Sequence, residues 1–576
     1  MKKCPQCGRE YDNSMMYCLD DGTELLYGPA SMDEPATAIM HDTEPPSEAA
    51  TRAQIYTADK TAVLPRGAEA EPQKNLGGST EKRSFSANRA AKPLIAGGIL
   101  VVFLVAGFFG YRFITPAKQI ESIAVMPFVN ESGNADVEYL SDGMTETLIK
   151  SLSQVPNLAV KSRSTVFYYK GKETSPKKIG EELGVQAVLL GRVGGRGDDL
   201  KLNLELVNTQ TQDVIWAEEY NRKQSDLVSL QSEIAKDVST KLKSKLSGAD
   251  EAKVTKTSTS SPEAYQAYLK GRYYWNRRTE ENFKKAIEQF NIAVSKDAGY
   301  ALAYVGLADC YVLLPQYSGT PTREAMPQAK AYAERAIALD EELSEAHTSL
   351  AQVAQSYWQW AESEREYKRA IEINPNYATG YHWYAGLLKE LGRFEEAAVM
   401  MKRAKELDPL SSIIGVNISE MYQIQNNHQA SVENSLKVIE IDPTFPLAYD
   451  YLGLSYLKLG RNAEGMANLE KAVEMSNRAA NILTDLGYGY AVIGRRSEAL
   501  AIAKELEASY TEKATAGLNI AQVYVGLGDK DKALEWLEKD LQNKESVSVV
   551  RYYIAFESLR DDPRVKDLLK RMGLPE

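Results

Sequence analysis

The residues best placed to do chemistry stand at the start of the chain, in "CPQCGREYDNSMMYCLDDGTEL" (4–25). Cys4 and Cys7 form a Cys-x-x-Cys pair, and Cys18 is followed at the same spacing by Asp21. Zinc takes four ligands at tetrahedral corners; a Cys-x-x-Cys turn supplies two from one chain reversal, and a carboxylate is an accepted ligand. Pro5 stiffens the first turn, and Gly8 and Gly22 follow the two pairs where the backbone must bend. The expectation is a structural Zn2+ held by Cys4, Cys7, Cys18 and Asp21, with Asp20 or water as alternatives to Asp21. A segment of about 26 residues builds no core alone, so the metal would hold it together. The competing readings are a disordered tail of reduced thiols and a catalytic thiol.

Other candidate chemistry dissolves on inspection. In "SDGMTE" (141–146), Asp142 and Glu146 lie one helical turn apart and could serve as an acid–base pair. The preferred reading is that Ser141 or Asp142 caps a helix, with the acids near the positive end of its dipole. "GGRGDD" (194–199) is Gly-rich but lacks the phosphate-loop pattern and reads as a hairpin turn. The four histidines, His41, His347, His382 and His428, are scattered, and no kinase, Walker, G-x-S-x-G or H-E-x-x-H signature occurs. No catalytic residue is assigned, and the chain is expected not to be an enzyme. The fourth cysteine, Cys310, sits in a helical pattern as a small buried hydrophobe.

With 576 residues the chain has room for several domains, and a net charge of −11 with a pI near 5.3 argues against a nucleic-acid partner. Lys2, Lys3 and Arg9 are offset by nearby acids, which weakens phosphate binding there too. Four cysteines so placed are no secreted disulfide framework.

Residues 94–114 read "LIAGGILVVFLVAGFFGYRFI", uncharged from Leu94 to Tyr111. At 1.5 Å per residue such a helix reaches about 30 Å, the thickness of a bilayer core. A transmembrane helix is therefore expected over 93–114. Lys82, Arg83, Arg89 and Lys92 precede it and only Arg112 and Lys118 follow closely, which predicts a cytoplasmic N-terminus. The C-terminal domains would lie in the periplasm or outside the cell, with the span in a bacterial inner membrane. Residues 27–92, rich in Ala, Glu, Pro, Ser and Thr, read as a disordered linker.

Beyond the span the pattern becomes βαβαβββα. "SIAVMPFVN" (122–130) is a strand, "EYLSDGMTETLIKSLSQ" (138–154) a helix and "KKIGEELG" (177–184) a short helix capped by Gly184. "AVLLGRVGG", "LKLNLELVN" and "DVIWAEEYNR" are successive strands, and an amphipathic helix closes the unit. From 263 onward the sequence repeats. Pro375, Pro409 and Pro443 recur every 34 residues, as do the small residues Ala351, Ala385, Ser419, Gly453, Gly487 and Ala521. Small residues let paired helices approach, and no hairpin buries its apolar face without neighbours. About eight units are expected over 263–560, with a capping helix over 561–576.

The quoted motifs carry three resemblances. Residues 1–26 resemble the small zinc ribbons that begin many bacterial membrane proteins, which implies a structural zinc. Residues 120–247, through "IAVMPFVNESG", "IGEELGVQAVLLGRV" and "DVIWAEEYNR", resemble the TolB amino-terminal-like domain, which implies a non-catalytic accessory domain. The array resembles tetratricopeptide repeats. The fold class expected is thus multidomain: a zinc ribbon, one transmembrane helix, an α/β sandwich domain and an all-α tetratricopeptide solenoid.

The last resemblance implies a superhelical groove that binds protein or peptide segments. Its groove-facing positions fall on Thr379, His382, Lys389, Glu420, Gln423, Asp450, Asn481, Tyr488 and Gln522, a mixed polar face without a basic cluster. The function expected is a membrane-anchored, non-catalytic scaffold or signalling accessory. The alternative is a regulator acting through the cytoplasmic ribbon. Self-association of the chain is left open.

Overall fold

The structure, a computed structural model, describes residues 2–3, 10–11, 120–134, 137–242, 247–318, 320–511 and 515–575. The chain divides into two compact units between Gly98 and Ile99. In the first, strands β1 (Lys2–Lys3) and β2 (Glu10–Tyr11) pair antiparallel, Lys2 opposite Tyr11. The proposed ligands Cys4, Cys7, Cys18 and Asp21, the linker 27–92 and the span 93–114 lie outside the described residues. Among the described residues, no helix is long and apolar enough to cross a membrane.

The second unit opens with a sheet of β3 (Ser122–Val125), β4 (Val129–Asn130), β5 (Ala159–Val160), β6 (Ala187–Arg196), β7 (Asp199–Asn208) and β8 (Val214–Lys223). Its order is β5-β3-β6-β7-β8, with β4 beside β6. β3 runs parallel to β5 and β6, and β6–β8 form an antiparallel meander with Leu189 opposite Leu206. The alternation along β7 explains the strand: Leu200, Leu202, Leu204 and Leu206 are buried, while the intervening residues face outward or half-outward. Helices α1 (Glu138–Ser153), α2 (Arg163–Phe167), α3 (Pro176–Leu183), α4 (Leu227–Leu242) and α5 (Gly248–Val254) complete the domain. α3 ends on Gly184 at φ 63°, a left-handed cap that glycine adopts without strain.

One expectation is corrected here. Ser141 and Asp142 do not cap α1, which begins at Glu138 behind Val137 and has no side-chain cap. Both are buried inside the helix. The acids of this segment meet cations instead: Asp142 pairs with Lys170, and Glu146 with Arg163 and Arg272.

Among the described residues, sixteen helices then form eight antiparallel hairpins at 262–296, 301–339, 344–373, 378–407, 412–441, 446–475, 480–511 and 517–542. The first helices of hairpins 3 to 7 start at 344, 378, 412, 446 and 480, each 34 residues apart. The recurring small residues lie where the helices cross. A Cβ on Gly453 would stand 2.7 Å from Leu469 Cγ and 2.9 Å from the Gly465 carbonyl oxygen, so backbone nearly touches backbone there. Cys310 is buried in hairpin 2, and burial pushes its thiol well above the usual range. After hairpin 8 the chain makes two 3-10 turns, Ser548–Arg551 and Ile554–Leu559, and ends in the helix Pro563–Arg571.

Two large apolar clusters organise the unit. One runs from the sheet (Ile123, Leu189) through α1 and α4 (Leu148, Ile234) into hairpins 1 to 3 (Tyr268, Phe290, Ala346). The other joins hairpins 6 to 8 (Leu469, Leu486, Ile520) to the C-terminal segment (Phe556, Leu568).

Candidate peptide-binding face

The α/β domain and the first hairpins are locked together by buried charge. Glu146 on α1 accepts from Arg272 of hairpin 1 at 2.6 Å, from Asn276 Nδ2 at 2.8 Å and pairs with Arg163 Nε at 3.1 Å. Arg272 reaches on to Asp309 of hairpin 2 at 3.4 Å, and Asp309 accepts from Ser349 of hairpin 3 at 2.6 Å. Burial disfavours the Glu146 carboxylate, yet Arg272 and Arg163 hold it below the usual carboxylate range. The same domain reaches further along the array. Asn376 Nδ2 donates to the Ser153 and Leu158 carbonyls at 3.2 and 3.1 Å, and Thr165 donates to Asp408 at 2.7 Å.

A second polar system lies along the first helices of hairpins 3 to 8. Gln355 donates to Glu390 at 2.8 Å, and the buried Lys389 pairs with the buried Glu420. Further along, Asp450 and Asp485 stand side by side and almost fully buried. Burial and the Asp485 charge push Asp450 well above the usual carboxylate range, and burial lifts Asp485 to about 6. Gln522 donates to Asp485.

The chain's own C-terminal segment covers this face. Tyr553 donates its hydroxyl to Asp485 at 2.8 Å. The Tyr552 ring lies 6.5 Å from that of Phe394, with Lys389 Nζ 5.4 Å from its centre. Arg551 crosses so close to Gly392 that a Cβ there would stand 2.5 Å from its Nη2. Lys458 of hairpin 6 pairs with Glu557 at 2.6 Å, and Trp360 of hairpin 3 donates its indole N–H to the Met572 carbonyl at 2.7 Å. The segment thus bridges hairpin 8, which it leaves, and hairpin 3.

The positions expected to face the groove divide accordingly. Lys389, Glu420, Asp450, Tyr488 and Gln522 gather around the C-terminal segment, all buried. Gln423 is buried too, donating to Ser455 Oγ at 2.9 Å and the Tyr451 carbonyl at 3.1 Å in the next hairpin. His382 and Thr379 are half-buried; His382 meets Asn417 at 2.6 Å, and burial drops its imidazole to about 3. Asn481 is exposed. The sequence reading missed Asp485, Glu390 and the tyrosine pair. A lone acid within an apolar stretch, in "NILTDLGYGY", was the available signal for Asp485.

Comparison with known proteins bears on each part. Models of tetratricopeptide repeats match residues 366–398, 448–478 and 515–542. The array contains tetratricopeptide repeats. The α/β domain is matched, over 118–237, by the model "HilA/YgeH-like transcriptional regulator, second domain". Over 238 residues the chain is 32% identical to "Putative adenylate cyclase 3" of Rhizobium meliloti (strain 1021), covering 41% of this chain and 40% of that one. Over 156 residues it is 24% identical to "Transcriptional regulator HilA" of Salmonella typhimurium, covering 27% and 28%. The chain therefore spans two fifths or less of these curated relatives. The solved structure of Pseudomonas aeruginosa PilF aligns with 36% of this chain and 94% of its own, at 21% identity and a TM-score of 0.29.

Proposed function

We propose that this chain is a non-catalytic, membrane-anchored scaffold that binds protein segments along the first helices of its tetratricopeptide array. One observation carries the reading: side chains from hairpins 4, 6 and 7 already hold an irregular peptide segment, the chain's own, through a phenol–carboxylate bond, a ring contact and an ion pair. A surface that holds one such segment has the pockets and donors to hold another. In this reading the span 93–114 anchors the array outside the cytoplasm, and Zn2+ on Cys4, Cys7, Cys18 and Asp21 folds a cytoplasmic ribbon.

A second reading is favoured by the relatives' names. Both are named for an output, cyclase activity or transcriptional control, and match this chain over a minor part of their length. The matched α/β–array part would then be a shared input module, and the zinc ribbon would pass its state to a regulatory partner.

The test is site-specific photo-crosslinking in native membranes from His382 and Asn481, expected groove positions that are half-buried and exposed. Capture of a defined protein partner is the expected result. Unaided turnover of ATP or another nucleotide by the purified chain would overturn the scaffold reading.

A further inference from the structure

The C-terminal segment is a poor match to the face it covers. Asp450 is 2% exposed, yet its Oδ1 has no hydrogen-bond partner. On the segment's own side, Arg551 Nη1 and Arg560 Nε are buried without partners. Buried polar groups are ordinarily paired, so each such atom opposes the contact. The acid pair also receives no cation from the segment. Glu390, Glu420, Asp450 and Asp485 line the face, and Lys389 is spoken for by Glu420. What the segment brings to the acid pair is the neutral hydroxyl of Tyr553. A buried carboxylate pair is better served by a cation, which lets both groups ionise and satisfies the vacant lone pairs.

The segment is also built to leave. Its contact residues sit on two short 3-10 turns, and such turns have poorer hydrogen-bond geometry than an α-helix. The helix that follows is tethered independently to hairpin 8, by Arg564–Asp531 at 2.7 Å and Arg571–Glu538 at 2.7 Å. Displacing residues 546–560 while both ends stay attached would uncover Val550, Phe556 and Leu559, all buried, so an incoming segment must replace those apolar contacts as well.

We propose that residues 546–560 act as a built-in stand-in ligand that brings the acid pair a phenol and no cation. A partner segment with an aromatic side chain in the place of Tyr552 and Lys or Arg in the place of Tyr553 displaces them by delivering the cation to Asp450 and Asp485. This rests on the scaffold reading above and adds to it the partner's chemistry and an intrasteric control. The face would stay shut to segments that bring no cation to this point and open to one that does.

The test uses the full-length chain and two synthetic, fluorescein-labelled peptides spanning 546–560, one of native sequence and one carrying Tyr553→Lys. Fluorescence anisotropy should show the Tyr553→Lys peptide binding at least about tenfold more tightly, about 1.4 kcal/mol. That advantage should vanish in the full-length chain carrying Asp450→Asn and Asp485→Asn, isosteric changes whose folding is checked by thermal melting. Hydrogen exchange at 548–559 of the wild-type chain should accelerate when the Tyr553→Lys peptide is added. Equal binding of the two peptides, binding of neither, or an advantage that survives the double substitution would overturn the proposal. Partner capture by photo-crosslinking would in that event still support the scaffold reading, so the two failures are distinguishable.

Discussion

Two junctions in this molecule bury acids, and they do it differently. Where the α/β domain meets hairpins 1 to 3, Glu146 faces two arginines and an amide, and the apolar core continues across the boundary. Where the C-terminal segment meets the array, Asp450 and Asp485 face each other, a phenol and an amide. A buried charge with its counter-charges is expensive to expose and fixes one arrangement. A buried acid without a cation costs free energy in place and leaves room for something better. The first junction is architecture; the second is a site.

The largest expected effect comes from breaking the first junction. Arg272→Ala leaves Glu146 with Arg163 as its remaining cation and takes the ion pair from Asp309, and should cost about 3 kcal/mol, read as a drop in denaturant midpoint with strands and hairpins 1 to 3 lost together. A loss below about 1 kcal/mol would erase the contrast. Relieving the second junction should act in the opposite direction. Asp450 and Asp485 both bind protons more tightly when folded, so their contribution to stability is full below the ordinary aspartate range. Asp485's part is lost as pH rises through about 6, and that of Asp450 as pH rises through its own value, which burial pushes well above the usual aspartate range. Asp450→Asn should therefore stabilise the chain at pH 7 by about 1–3 kcal/mol and flatten its stability between pH 5 and 7, roughly the desolvation cost of one buried polar group. Destabilisation at pH 7 would show that the pair is better satisfied than its contacts indicate. Tyr553→Phe removes one hydroxyl bond and should cost about 1 kcal/mol, seen as roughly fivefold faster exchange confined to 548–559. The smallest effect belongs to Lys458→Ala: its partner Glu557 has a side chain 55% exposed, so the loss should stay under about 1 kcal/mol and shrink with salt.

Much of the fold was legible because it rests on short-range pattern. The 34-residue recurrence from Ala351 to Ala521 follows from a packing rule applied repeatedly, and the alternation of Leu200 to Leu206 marks a half-buried strand without help from distant residues. What failed was decided at long range. Asp142 and Glu146 look like helix-start acids locally; Lys170 and Arg272, 28 and 126 residues away, give them their role. The path of 548–559 has no helical or strand period, since its turns are set by the face beneath them. Of the candidate site, the polar register of the first helices could be read from Lys389, Glu420, Asp450 and Gln522. That the chain covers those positions itself could not, since no repeat pattern encodes it.

The central claim is that the face of the first helices is a binding site held by a replaceable piece of the same chain. Native-state hydrogen exchange on the full-length protein tests it most directly. Amides in 548–559 should open well below the free energy at which β6 and β7 exchange, and on their own. If both regions exchange only through one common unfolding event at the same free energy, the segment is ordinary core and the claim fails.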